Sequence, residues 1–144
     1  MPSTAAIRHD QIGGKNRLWK LFGKKGAKTR FFKSGRTYGK VYRSKGTGNG
    51  YFVFARTYIL AEVNMMNGVP PTPELKRSLR FAQQYFSKAK PRSMNIKRAL
   101  RGKTLKARKM RLRALKGRAR TLRHHRAVLV AYNNGDTVPI CTSS

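Results

Sequence analysis

The chain has 144 residues, of which 34 are Lys or Arg and four are acidic, for a formal net charge of +30. Thirty like charges on one small chain repel one another, so a compact state calls for a polyanion close by. Nucleic acid is the obvious candidate for that polyanion: duplex DNA carries one phosphate per roughly 1.7 Å of axis, so the charge matches on the order of 15 base pairs.

The same composition narrows the function classes. The carboxylates Asp10, Glu62, Glu74 and Asp136 are scattered and offer no pair for acid–base catalysis or for a magnesium site, which points away from an enzyme. Cys141 is the single cysteine and has no partner in the chain for a disulfide. No apolar run reaches the roughly 18 residues of a membrane span, because Arg56 interrupts the best stretch, 51–60. A hydrophobic content of 39% builds one modest core.

Residues 1–50 hold 13 of the cations and nine of the 13 glycines. The first thirty share their basic character with mitochondrial transit peptides but show little amphipathic periodicity. Gly13-Gly14-Lys15 lacks the spacing of a phosphate loop. Aromatic residues sit beside cations throughout, in Trp19-Lys20-Leu21-Phe22, Arg30-Phe31-Phe32-Lys33 and Tyr38-Gly39-Lys40-Val41-Tyr42-Arg43. Such a segment does not bury enough apolar surface to fold alone. We read it as an extended arm that orders on binding, with a disordered solvating tail as the alternative. Its cations Lys15, Arg17, Lys20, Lys24, Lys25, Lys28, Arg30, Lys33, Arg36, Lys40 and Arg43 are candidate phosphate contacts. Its aromatics are expected to stack on bases or dock into a neighbouring subunit.

Gly46-Thr47-Gly48-Asn49-Gly50 marks a boundary. In the apolar stretch 51–66, Phe52, Ile59, Val63 and Met66 fall near helical spacing, although Tyr51-Phe52-Val53-Phe54 also suits the opening of a strand. Helix is the favoured reading. Thr72-Pro73-Glu74 then supplies an N-cap, a proline for the first turn and an acid for the positive end of the helix dipole. Leu75, Leu79, Ala82, Phe86 and Ala89 form one apolar stripe, with Arg77 and Arg80 off it, and Pro91 ends the helix.

Residues 94–132 read as one long helix, bent at Gly102 or Gly117. From Arg92 to Arg126 there are 15 Lys or Arg and no acid to pair with them at i,i+4. The seam Leu105, Leu112, Leu115, Ala119, Leu122 and Leu129 offers a surface for packing or self-assembly. Arg98, Arg101, Lys103, Arg108, Arg111, Arg113, Arg118, Arg120 and Arg123 project in many directions, which calls for phosphates on two sides of the helix. His124 and His125 are adjacent and diverge by about 100° on a helix, so one metal does not take both from one face. The methionines are core fillers, and no metal or cofactor is expected. From Ala127 onward there is no Lys or Arg, and Asn133-Asn134-Gly135-Asp136 suits a helix C-cap or, with alternating Val128, Val130 and Tyr132, a hairpin.

The expected architecture is all-α: an arm over 1–50, a small helical bundle over 51–132 with one long cationic helix, and a neutral tail over 133–144. Three functions fit this layout. One is a capsid or nucleocapsid subunit coating double-stranded DNA non-specifically; the second is a lineage-specific ribosomal protein in rRNA, including a mitochondrial one; the third is a histone-like chromatin protein. The layout of the whole chain resembles major capsid proteins of filamentous archaeal viruses, with Arg36-Thr37-Tyr38-Gly39-Lys40 and the helix pair around Pro70 to Pro91 as the segments that carry it. That resemblance implies subunits clamped around duplex DNA held in A form, copies of the chain or a paralogue as partners in a helical assembly, and a place in the virion rather than the ribosome. The charge exceeds the family's habit, and the scarcity of Glu is unusual for a hyperthermophile.

Overall fold

A computed structural model describes residues 17–44 and 49–135. Five α-helices and three 3₁₀ turns form the regular structure of the described residues, and no strand is present among them. The helices are α1 (Tyr38–Arg43), α2 (Gly50–Met66), α3 (Pro73–Lys88), α4 (Ile96–Ala99) and α5 (Leu105–Asn133). The all-α expectation therefore stands.

Each helix begins where a short polar side chain satisfies an orphan amide. Thr37 Oγ1 accepts from Lys40 N at 3.3 Å and Asn49 Oδ1 from Tyr51 N at 2.9 Å. Thr72 Oγ1 accepts from Leu75 N at 3.1 Å, and Thr104 Oγ1 from Ala107 N at 3.1 Å. With Asn49 as its cap, the stretch 51–66 is helix and not strand. Its apolar residues run all the way round, and helices of that kind are found in the interior. Indeed Tyr51, Phe54, Ala55, Ile59, Ala61 and Val63 of α2 are fully buried. Helix α3 buries Leu75, Leu79, Ala82 and Phe86 as the stripe predicts. Its C-cap is Ala89, whose amide donates to Tyr85 O at 2.8 Å.

The long helix expected over 94–132 is instead two helices, α4 and α5, preceded by a 3₁₀ turn. Pro91–Met94 is a 3₁₀ turn, Asn95 caps the four-residue α4, and α5 starts only at Leu105. Gly102 sits at the break: a Cβ there would lie 3.1 Å from Arg108 N, so a larger residue would have to push the start of α5 back by a few tenths of an ångström. Gly117, by contrast, lies within α5.

The N-terminal segment corrects the expectation of an extended arm. Over its described part it folds into two 3₁₀ turns, Arg17–Phe22 and Gly26–Lys28, followed by α1. Trp19 (3% exposed), Phe31 (0%), Val41 (0%) and Tyr42 (1%) enter the same core as Phe54 and Phe86. Trp19, Phe31 and Tyr42 are therefore core residues and not base-stacking ones, and Phe22, Phe32 and Tyr38 pack partly buried against that core. The segment packs on α2 and α3, with Phe31 against Tyr51 and Phe86. Each fully buried large apolar side chain contributes about 1.5–3 kcal/mol against the entropy of ordering this glycine-rich segment. Gly35, at φ +73°, turns the chain so that Phe31 N donates to Arg36 O at 2.8 Å.

At the other end, α5 is pinned to α2 by buried polar groups. Asn64 Nδ2 donates to Asn133 Oδ1 at 3.1 Å and Asn133 Nδ2 to Thr57 O at 3.2 Å. Tyr132 Oη donates to Val69 O at 2.7 Å, fastening the α2–α3 turn. Asn134 is the C-cap and Gly135 takes φ +79°, so the C-cap reading holds and the hairpin does not. The rest of the neutral tail lies outside the described residues.

Candidate nucleic-acid interface

Helix α5 carries the candidate interface, and its register explains how its cations are arranged. Buried Leu115, Leu122 and Leu129 repeat every seven residues and turn one face toward α2 and α3. On the opposite side, Lys106, Lys109, Arg113, Lys116, Arg120 and Arg123 recur at intervals of three, four, three, four and three, and all are exposed. At about 100° per residue they fall within an arc of roughly 100° and span about 25 Å of helix axis. The stripe is continuous because α5 is unbroken from Leu105 to Asn133. Of these six, Arg113, Arg120 and Arg123 belong to the sequence-based set, whereas Lys106, Lys109 and Lys116 do not. The three–four spacing on the far side from the leucine seam is the signal that finds them.

A second cationic feature lies across α5 from this stripe. Arg111 and Arg118 face the Pro91–Met94 turn and α4, where Arg92 and Arg98 join them around a cleft of about 290 Å³. Ala99, Ala114 and Leu115 also line it, and Ala99 and Leu115 are buried. Arg118 Nη2 donates to Ser93 O at 2.9 Å, which ties the two walls together. The cleft thus brings together three sequence-predicted cations, Arg98, Arg111 and Arg118, with Arg92, which the sequence reading did not include.

The remaining predicted cations distribute over other surfaces. Lys20, Lys24, Lys25, Lys28, Arg30, Lys33, Lys40 and Arg43 are exposed around the folded N-terminal segment. Arg36 is exposed too, but its guanidinium lies over the Phe52 ring, 4.4 Å from the centroid, which leaves one of its faces for other contacts. Arg77 and Arg80 are exposed on α3, and Arg101, Lys103 and Arg108 are exposed near the break before α5. Arg17 lies in the first 3₁₀ turn, and Lys15 lies outside the described residues. Among the described residues, Glu74 is the one exposed acid, so little on this surface competes with phosphate.

The apolar seam is divided between two roles. Leu115 and Leu122 are buried within the protein itself and are not available to a second copy. Ahead of them, Ile96, Leu100, Leu105 and Met110 are between 47% and 63% exposed, leaving the start of α5 partly uncovered.

The titratable groups in the interior are structural. Glu62 is 6% exposed and burial raises its pKa above the usual carboxylate range, an effect partly opposed by hydrogen bonds with Tyr58 and Gln83. His125 stacks on Phe81 at 3.9 Å between centroids and shares a 2.9 Å hydrogen bond between Nδ1 and Ser78 Oγ. Burial, then the neighbouring His124, lowers its pKa, so its role is to join α3 to α5. No group of three His, Cys, Asp or Glu that could hold a metal ion occurs among the described residues, and no helix among them is long and apolar enough to cross a membrane.

Compared with known proteins, the chain matches no family model, no curated protein and no solved structure.

Proposed function

We propose that the protein is a structural nucleic-acid-coating subunit that binds double-stranded DNA non-specifically, as a capsid or nucleocapsid protein does. The single observation behind this reading is the six-cation stripe on α5. Regularly spaced Lys and Arg on an unbroken helix suit phosphate contacts, and phosphate contacts position a protein without reading sequence. Cations on the opposite side of the same helix fit a subunit held between neighbouring stretches of polymer. Partners of the chain are then nucleic acid and further copies of itself or a paralogue, and its place is the virion. Mixing the purified protein with long duplex DNA is expected to give regular filaments by electron microscopy, with a repeating rise and twist. Disordered aggregates, together with stoichiometric recovery in ribosomal subunits, would overturn it.

The ribosomal reading keeps its place on one specific observation. Residues 17–44 fold into the core, so over that span no extended arm is present to wrap a duplex. A compact basic domain with cations on several faces also suits folded RNA, which surrounds a protein from several directions.

A further inference from the structure

We propose that the four-arginine cleft beside α4 is a nucleotide-binding subsite that takes one phosphate with its attached nucleoside from an unpaired position of a nucleic-acid strand. It rests on the reading that the protein binds nucleic acid, and it suits folded RNA, whose loops carry unpaired nucleotides, rather than a fully paired duplex.

Three features carry the inference. Arg92, Arg98, Arg111 and Arg118 line one concave site of about 290 Å³ without an acid among its lining residues. Convergent like charges repel, and a bound anion relieves that repulsion. Guanidinium groups are planar forks that match phosphate oxygens two at a time and also stack on flat rings. Next, the cleft is larger than a phosphate needs, and beside the arginines it is lined by Ser93, Asn95 and Ala114, with Ala99 and Leu115 buried beneath. A phosphate alone leaves most of this space to water, whereas a sugar and base fill it. Finally, Arg111 and Arg118 point roughly opposite to the Lys109–Lys116 side of α5, so a duplex lying along the stripe does not reach them. A paired, stacked base does not enter a concave site of this kind, while an unstacked one does, with Arg as a stacking partner.

The test titrates the full chain with adenosine 5′-monophosphate at constant ionic strength, following backbone amide shifts by NMR. Saturable shifts confined to residues 91–99 and 111–118 are expected. Inorganic phosphate and adenosine, each alone, are expected to bind more weakly than the nucleotide. Arg98→Ala combined with Arg111→Ala should weaken nucleotide binding about tenfold or more per arginine while leaving the melting temperature in place. Lys109→Ala combined with Lys116→Ala should leave it unchanged. A short single-stranded oligonucleotide should shift the same amides at lower concentration than the mononucleotide, and a fully paired hairpin should not.

Shifts spread evenly over the surface and reproduced by chloride would overturn the site. Equal loss in both double variants would do so as well. Phosphate binding as tightly as the nucleotide would remove the nucleoside from the proposal, and a mononucleotide binding more tightly than the strand would remove the strand as its source. Filament formation with long duplex is read separately, so the cleft and the coat fail independently.

Discussion

The ring of Phe31 meets the ring of Phe86 edge to face, with centroids 4.9 Å apart and planes at 70°. One residue belongs to the glycine-rich N-terminal segment and the other to α3, so this pair joins the part of the chain without helical periodicity to the bundle. Tyr38 approaches Phe31 at 5.0 Å, Tyr58 at 6.3 Å and Tyr51 at 6.4 Å, which makes Phe31 the hub of an aromatic cluster. Replacing Phe31 with Ala is expected to cost about 3–5 kcal/mol, a large share of the roughly 5–15 kcal/mol that holds a domain together. Urea unfolding followed by circular dichroism measures it. An unchanged midpoint would show that the cluster contributes nothing.

A truncation tests the same relationship on a larger scale. Removing residues 1–44 takes away Trp19, Phe31, Val41 and Tyr42 and uncovers one side of α2 and α3. The shortened protein should lose its cooperative melt and bind a dye that reports exposed apolar surface. A sharp melt at the original temperature would restore the picture of a dispensable arm.

The stripe makes a quantitative claim about salt. Changing Lys109, Arg113, Lys116 and Arg120 to Gln removes four phosphate contacts, so the slope of log affinity for long duplex against log salt should become shallower by about 3–4. Folding should not suffer, since these exposed side chains face away from the core and their mutual repulsion disappears. A slope equal to that of the parent would place the duplex elsewhere.

Buried Glu62 makes stability depend on pH with a definite sign. Its carboxyl takes up a proton at higher pH in the folded protein than in the unfolded chain. Stability from this group is therefore complete below the unfolded value of about 4.3 and is lost as pH rises through the folded value. Glu62→Gln should raise the melting temperature near neutral pH and give no gain near pH ~4. A gain confined to acid pH would reverse the assignment.

The buried amide pair offers a coupling measurement. Asn133→Ala breaks the bonds to Asn64 and to the Thr57 carbonyl and should cost about 1–3 kcal/mol. Adding Asn64→Ala should cost less than it does in the parent, because both changes remove one interaction. Strict additivity in a thermal double-mutant cycle would dissolve the pair.

Local rules made the middle of this chain legible. Thr72, Pro73 and the Leu75–Phe86 stripe specify α3 from adjacent residues alone, and capping by Asn49 and Asn134 is likewise short-range. Trp19, Phe31 and Tyr42 were not legible as core because their segment has no period to read. Their burial depends on α2 and α3, which come later in the chain. The α5 start was signalled by Thr104 but masked by continuous positive charge on both sides of Gly102. For the interface, the cations themselves were plain, yet their division into a stripe and a cleft required the position of the 91–99 segment against α5. Arg92 and Arg98 come from outside α5 altogether.

Helix α5 is clamped at one end only. Leu122, Leu129, Tyr132 and Asn133 are held by the core and by the hydrogen bonds to Val69 and Asn64, while Leu105 and Met110 near its start are more than half exposed. Mechanically this is a cantilever, with a built-in root and a lightly supported tip, and the stripe runs from tip toward root. Polymer pressing on Lys106 and Lys109 acts on the long end of a lever whose fulcrum lies near Leu115. Amide hydrogen exchange should therefore be fastest over 105–112 and slowest over 122–133 in the free protein. Binding along the stripe should slow the tip most, converting a compliant helix into a stiff strut.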